Sequence, residues 1–158
     1  VELIKNGVSL GRKPSGKAAG FRTLFETTYE PGTLTAIAYD SDAEISRFEL
    51  KTAGSEKVLH LSVENEKYGC DGPIYINADL TDEDGTVIKA DEKINLTSKG
   101  DIEILGFGSG NPKPNYNFNE GATETWNGHA LIIARKTGEG KAIIAVSSES
   151  GIKEMAAL

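Results

Sequence analysis

The chain has 158 residues, 38% of them apolar and 26% charged, which places it among folded globular proteins and excludes a disordered tail. Its formal net charge of −7 lacks the basic footprint that nucleic acid requires, and no apolar run reaches the roughly 20 residues that span a bilayer. A single cysteine, Cys70, rules out an internal disulfide; with only His60 and His129 to activate a thiolate, it is read as a buried or incidental thiol.

Taken in chain order, nearly every segment reads as strand or turn. Val1 already stands in strand-like sequence, with no charged-then-apolar leader before it. Asn6-Gly7 follows as a tight turn. The run "FRTLFETTY" sets Phe21, Phe25 and Tyr29 on one face with Thr23 and Thr27 between them, which is good strand chemistry. Pro31-Gly32 hinges this run onto "TLTAIAYD", expected to be a core strand. The link "TAGSEK" (52–57) is small and polar and separates two strand sets.

Beyond it the alternation is cleaner. In "VLHLSVEN", Leu59, Leu61 and Val63 share one face and His60, Ser62 and Glu64 the other. In "IYINADL", Ile74, Ile76, Ala78 and Leu80 point inward while Tyr75, Asn77 and Asp79 point outward. "ALIIARK" and "AIIAVSS" are apolar on both faces, as central strands are. Asp84-Gly85, Lys99-Gly100, Asn127-Gly128 and Gly138-Glu139-Gly140 supply further turns. The terminal "GIKEMAAL" is the single helix-like piece. Many short strands with frequent turns mean an all-β sandwich. The expected division is a module at 1–53, with five candidate strands and its opening strands upstream of Val1, and a complete sandwich at 54–158.

Motifs that carry chemistry are scarce. In "DLTDEDGTVIKAD", an EF-hand register with Gly85 at the sixth position puts Leu80 at the first, where a ligand is needed, so no calcium site is expected. The bland reading is a turn with solvated acids at its tip. The glycines of "GFGSGNPKPNYNF" are followed by Pro112 and Pro114 rather than a helix, which removes a phosphate loop. "FGSG" has Phe107 where a nucleophile elbow has glycine. The 24 carboxylates scatter over turns and outward strand positions without defining a catalytic pair. Asn95-Leu96-Thr97 matches the N-glycosylation pattern, which arises often by chance. Trp126 and Tyr116, with Phe118 nearby, are the candidates for a platform on which a sugar ring could stack. No cofactor or metal is expected.

"VELIKNGVSLGRK", "YEPGTLTAIAYD" and "LKTAG", in this order, resemble the immunoglobulin-like module that follows the catalytic barrel in bacterial family 2 glycoside hydrolases of the β-galactosidase group. "LTDEDGTVIKAD", "GDIEILGFGSGNP" and "NGHALIIARKTGEGKAIIAVSSESG" resemble the C-terminal immunoglobulin-like module of the same enzymes, with Ser109 standing where the usual pattern has Asn. The resemblance implies two tandem immunoglobulin-like sandwiches, the first N-terminally truncated. It also implies an upstream catalytic barrel as partner and a possible homo-oligomer. The family's two catalytic glutamates lie in that barrel, so no catalytic residue transfers to this chain. The expected role is a non-catalytic accessory segment; the alternatives are a carbohydrate-binding module contacting a galactoside or oligosaccharide and an immunoglobulin-like repeat of a surface adhesin.

Overall fold

A computed structural model of the chain describes residues 1–64 and 72–158. Cys70 lies outside the described residues. The chain divides into two compact units, Val1–Thr52 and Ala53–Leu158. Among the described residues no helix is long and apolar enough to cross a membrane.

Unit 1 is one antiparallel sheet of four strands: β1 (Glu2–Lys5), β2 (Val8–Arg12), β3 (Thr33–Asp40) and β4 (Ala43–Lys51), in the order β2-β1-β3-β4. Asn6 at φ 49° and Gly7 at φ 80° make the two-residue β1–β2 turn, whose positive φ pair matches the right-handed twist of the strands it joins. The asparagine side chain then reaches across to the β3 entrance. Its Oδ1 accepts from Thr33 N at 2.7 Å and its Nδ2 donates to the Pro31 carbonyl at 3.1 Å.

Two expectations for this unit fail. Residues 21–30 form no strand, although a 3-10 turn (Lys17–Ala19) precedes them. The alternation of Phe21, Phe25 and Tyr29 is real, but both flanks of β3 are already paired, with β1 and β4. Phe21, at φ 58° and 78% exposed, belongs to the turn instead. Pro31-Gly32 therefore introduces β3 without closing a hairpin, and unit 1 has four strands rather than five.

Unit 2 is a two-sheet sandwich. One sheet contains β5 (Val58–Val63), β6 (Ile74–Thr81), β10 (His129–Lys136) and β8 (Ile102–Gly108), in that order. The other runs β12 (Lys153–Ala157), β11 (Ala142–Ser148), β7 (Lys93–Gly100), β9 (Ala122–Glu124). The inward set of each strand meets in a single core: Leu59, Ile76, Leu80, Phe107 and Ile132 from the first sheet, Ile94, Ile144 and Val146 from the second. This is the period of two made physical, since one face of each strand points into the core. β10 and β11 are the central strands their apolar runs suggest; their second faces are covered only in part, with Ile143 43% exposed.

The helix-like C-terminus is strand β12, paired with β11 from Ile143↔Ala157 to Ser147↔Lys153. Eight residues cannot nucleate an isolated helix, whereas the β11 edge offers a ready ladder. The acidic turn has Glu83 and Asp84 exposed at its tip, as expected, but not Asp82. Asp82 is buried, its Oδ1 accepting from Thr86 N at 2.7 Å and its Oδ2 from Gly54 N at 2.8 Å. It organises the turn and ties the start of unit 2 to it. Asn95 sits within β7, laddered to β11 and β9, rather than in a loop.

Candidate functional site

The outward face of the β5-β6-β10-β8 sheet carries the candidate side chains. Directly paired residues share a face, so the register defines rows across it. One row is His60 (β5), Asp79 (β6) and His129 (β10), extended by Trp126 through its bridge to His129. The next is Ser62, Asn77, Leu131 and Gly108. The third includes Tyr75, Ile133 and Gly106.

Trp126 is placed by its turn. Asn127 at φ 52° and Gly128 at φ 86° form the two-residue loop, with Trp126 N donating to His129 O at 2.9 Å and His129 N to Trp126 O at 3.1 Å. Asp91 Oδ1 accepts from Asn127 N at 3.0 Å, and the Gly128 amide donates to Ala90 O at 2.9 Å. A β-carbon at Gly128 would overlap the Ile88 carbonyl, so glycine is required by space as well as by φ. The indole is 38% exposed, with its Cδ1 over Gly110.

Tyr116 is half-buried in the proline-containing loop. Its hydroxyl donates to Glu124 O at 2.9 Å and lies 3.1 Å from Ser109 Oγ, fastening the proline-containing loop to β9. Phe118 folds across Gly108, where any β-carbon would overlap its ring. Trp126 and Tyr116 thus meet the same loop, at Gly110 and Ser109. Beside them an apolar groove of about 310 Å³ is floored by Gly106 and Gly108 and walled by Phe118, Leu131 and Ile133.

Polar groups missed as site residues share this face. His129 Nδ1 lies 2.8 Å from Asp79 Oδ1, and Asn77 Nδ2 donates to Glu64 Oε1 at 2.8 Å. Their outward direction was readable from alternation; their partnership was not, because it depends on register between distant strands. A partly exposed indole beside amide, imidazole and carboxylate groups offers an apolar face and hydrogen bonds side by side, as sugar-contacting surfaces do.

Elsewhere three carboxylates are held by hydrogen bonds within the fold. Hydrogen bonds from Ser9 and Tyr39 hold Glu2 below the ordinary carboxylate pKa; in return the Tyr39 phenol is raised. Arg47 lowers Glu44 in the same way. Lys57 and then Ser150 lower Glu92, which receives them at 2.8 and 2.6 Å. Among the described residues no group of three His, Cys, Asp or Glu side chains is placed to hold a metal ion.

Residues 59–155 match the family described as glycoside hydrolase family 2 C-terminal domain 5. The chain belongs to that family. Residues 1–46 match a domain of unknown function, DUF4982. The family 2 segment is 29% identical over 153 residues to the β-galactosidase BoGH2A of Bacteroides ovatus, covering 94% of this chain and 18% of that protein. It superposes with TM-score 0.92 and 27% identity on a glycosyl hydrolase family 2 member from Bacteroides cellulosilyticus, covering 99% of this chain and 22% of the other. A β-glycosidase from Bacteroides vulgatus shares the fold at TM-score 0.87 and 22% identity, over 99% of this chain and 20% of that one. The chain thus spans about a fifth of the length of these relatives.

Proposed function

We propose that this chain is the non-catalytic C-terminal accessory segment of a β-galactosidase-like glycoside hydrolase, supporting an upstream catalytic barrel of the same polypeptide. The observation that carries the reading is the coextensive match: one β-galactosidase aligns with 94% of this chain, both units included, while the chain accounts for only 18% of it. The test is turnover of a chromogenic β-galactoside by this chain and by the longer polypeptide. Activity confined to the longer protein is expected; turnover by the chain that disappears on mutating its own carboxylates would overturn the reading.

A second role within the same protein is a glycan contact at Trp126, favoured by its partial exposure in the His60–Asp79–His129 row. Tyr116 would act there by positioning the loop rather than by stacking. Titration with galacto-oligosaccharides should shift Trp126 and His129 NMR signals in the wild type and leave a Trp126→Ala variant unchanged. Flat titrations in both would remove this role.

A further inference from the structure

The outward face of β8 lacks side chains where a strand ordinarily carries them. Gly106 and Gly108, two residues apart, stand opposite Ile133 and Leu131 of β10. Phe118 explains Gly108, because its ring lies where a β-carbon would be. Gly106 has no such cause: its φ is not positive, and a β-carbon there would enter open space. The register shift between Ile133 and Ala134 does not call for it either, since the glycine that a bulge needs is one at positive φ. A strand glycine without a local cause weakens its strand, and such positions mark the close approach of a ligand or another backbone. What it leaves here is a bare strip of peptide planes walled by Leu131, Ile133 and Phe118, the floor of the 310 Å³ groove.

The lining decides what can enter. Ser109 Oγ is the one side-chain polar atom in it, and that atom already lies 3.1 Å from the Tyr116 hydroxyl. Sugar hydroxyls placed in the groove would lose water and gain no partner, whereas a flat apolar ring has no hydrogen bonds to lose. Polar side chains begin on the far side of β10, with Asn77 opposite Leu131 and the Asp79–His129 pair in the next row. Two strand spacings, roughly 10 Å, separate β8 from β6, which is the span of one aromatic ring joined to one sugar. Gly110 lines the groove and lies under the Trp126 indole, so the groove and the indole are contiguous. Charge narrows the sugar. Asp79 and Glu64 stand on the polar side, His129 is engaged by Asp79, and Arg135 is paired with Glu103 at 2.6 Å. A uronate would meet two carboxylates there. We propose that the groove is an aglycone subsite and that its ligand is a neutral aryl glycoside, with the aromatic ring over Gly106 and the sugar toward Asn77 and Trp126. The inference rests on the reading of a glycan contact at Trp126 and adds the chemistry of the other half of the ligand.

Four probes titrated into the 158-residue chain test it by NMR: phenyl β-galactoside, methyl β-galactoside, phenyl β-glucuronide and phenol. Phenyl galactoside should shift the methyl signals of Leu131 and Ile133 together with the Trp126 indole, and bind about tenfold or more tightly than methyl galactoside. Phenyl glucuronide should bind several-fold more weakly than phenyl galactoside. Gly106→Val fills the strip at a position with room for a side chain, and should bring phenyl galactoside down to the affinity of methyl galactoside without moving the urea midpoint. Ile133→Ser, which removes a wall instead of filling the floor, should weaken phenyl galactoside in the same way. Equal affinities for the phenyl and methyl galactosides, with shifts at Trp126, would overturn the aglycone subsite and leave the glycan contact standing. Phenyl binding that survives both substitutions, or phenol binding as tightly as phenyl galactoside, would overturn it too. A glucuronide that binds as well as the galactoside would overturn the assignment to a neutral sugar, and flat titrations with all four probes would remove the glycan contact as well.

Discussion

Both units are built from antiparallel strands with alternating apolar residues, yet they bury them to different degrees. Of the fully buried apolar residues described, Ile37 alone belongs to unit 1, while Leu59, Ile76, Leu80, Ile94, Phe107, Ile132, Ile144 and Val146 are among those in unit 2. The larger set of exposed bulky residues is in the smaller unit: Val8, Phe21, Leu24, Tyr29, Ile45, Phe48 and Leu50. Local pattern is the same; what differs is the presence of a facing sheet. In unit 2 a β6 residue such as Ile76 points at residues of the β11-β7 sheet, and burial follows. In unit 1 the equivalent positions Leu34 and Ala36 have no second sheet of their own unit to meet.

The largest effect that would sharpen this contrast is expected at Phe107. Phe107→Ala removes a ring that is 1% exposed in the unit 2 core and should cost about 3–5 kcal/mol in urea unfolding. A cost below about 1 kcal/mol would show that the sandwich core is not close-packed there. The two Asn-Gly turns give the next comparison. Gly7 and Gly128 have nearly the same φ, 80° and 86°, but a β-carbon finds open space at Gly7 and the Ile88 carbonyl at Gly128. Gly7→Ala should cost only the left-handed strain, about 1–2 kcal/mol, and Gly128→Ala about 2–4 kcal/mol because the turn must also shift. Equal costs in the two unfolding transitions would mean that the surroundings of the turn do not matter.

How much of this was legible beforehand varied with the range of the interaction. Asn127-Gly128 and Asn6-Gly7 were readable because a two-residue turn depends on its own residues' φ preferences. The inward sets of β5 and β6 followed from alternation alone. Residues 21–29 misled for the opposite reason: Phe21, Phe25 and Tyr29 alternate, but a strand needs a free edge, and β3 has none. "GIKEMAAL" has helix-forming residues, and only the β11 edge makes it a strand. In the candidate site, Trp126 was visible as a lone indole by a turn. The pairing of His129 with Asp79 spans 50 positions, so no local signal reports it. Asp82 was read as solvated because its acidic neighbours are; its burial depends on the Gly54 amide, 28 residues away.

Asp82 and Glu92 test how unit 2 secures the segment that enters it. Asp82→Ala leaves the Gly54 and Thr86 amides without their carboxylate and should lower stability by about 1–3 kcal/mol, read by urea unfolding. Glu92 should act through pH. Its pKa is lowered from 4.5, first by the hydrogen bond from Lys57 and then by that from Ser150. Its contribution is therefore complete above pH 4.5 and lost as pH falls through the lower folded value. Glu92→Gln should cost about 1 kcal/mol at neutral pH, with the difference from wild type shrinking on acidification below that point. A gap that stays constant from neutral to acid would mean that the charge of Glu92 contributes nothing and that only its packing matters.

The smallest effect is the most informative about unit 1. Phe48→Ser deletes an aromatic ring, a change that in a core would rank with Phe107→Ala. Here the ring is 65% exposed, so in the 158-residue chain little transfer free energy is lost and the unfolding midpoint should move by less than about 0.5 kcal/mol. Binding of an apolar dye, by contrast, should fall, because the largest side chain of the open face is gone. In a polypeptide that supplies the second layer, the same substitution would open a cavity between layers and cost several-fold more. The ratio of the two costs therefore measures how much of the unit 1 core comes from outside residues 1–52. A ratio near one would assign Phe48 to permanent solvent exposure, and the contrast between the units would then reflect a thin, single-layer unit rather than an incomplete one.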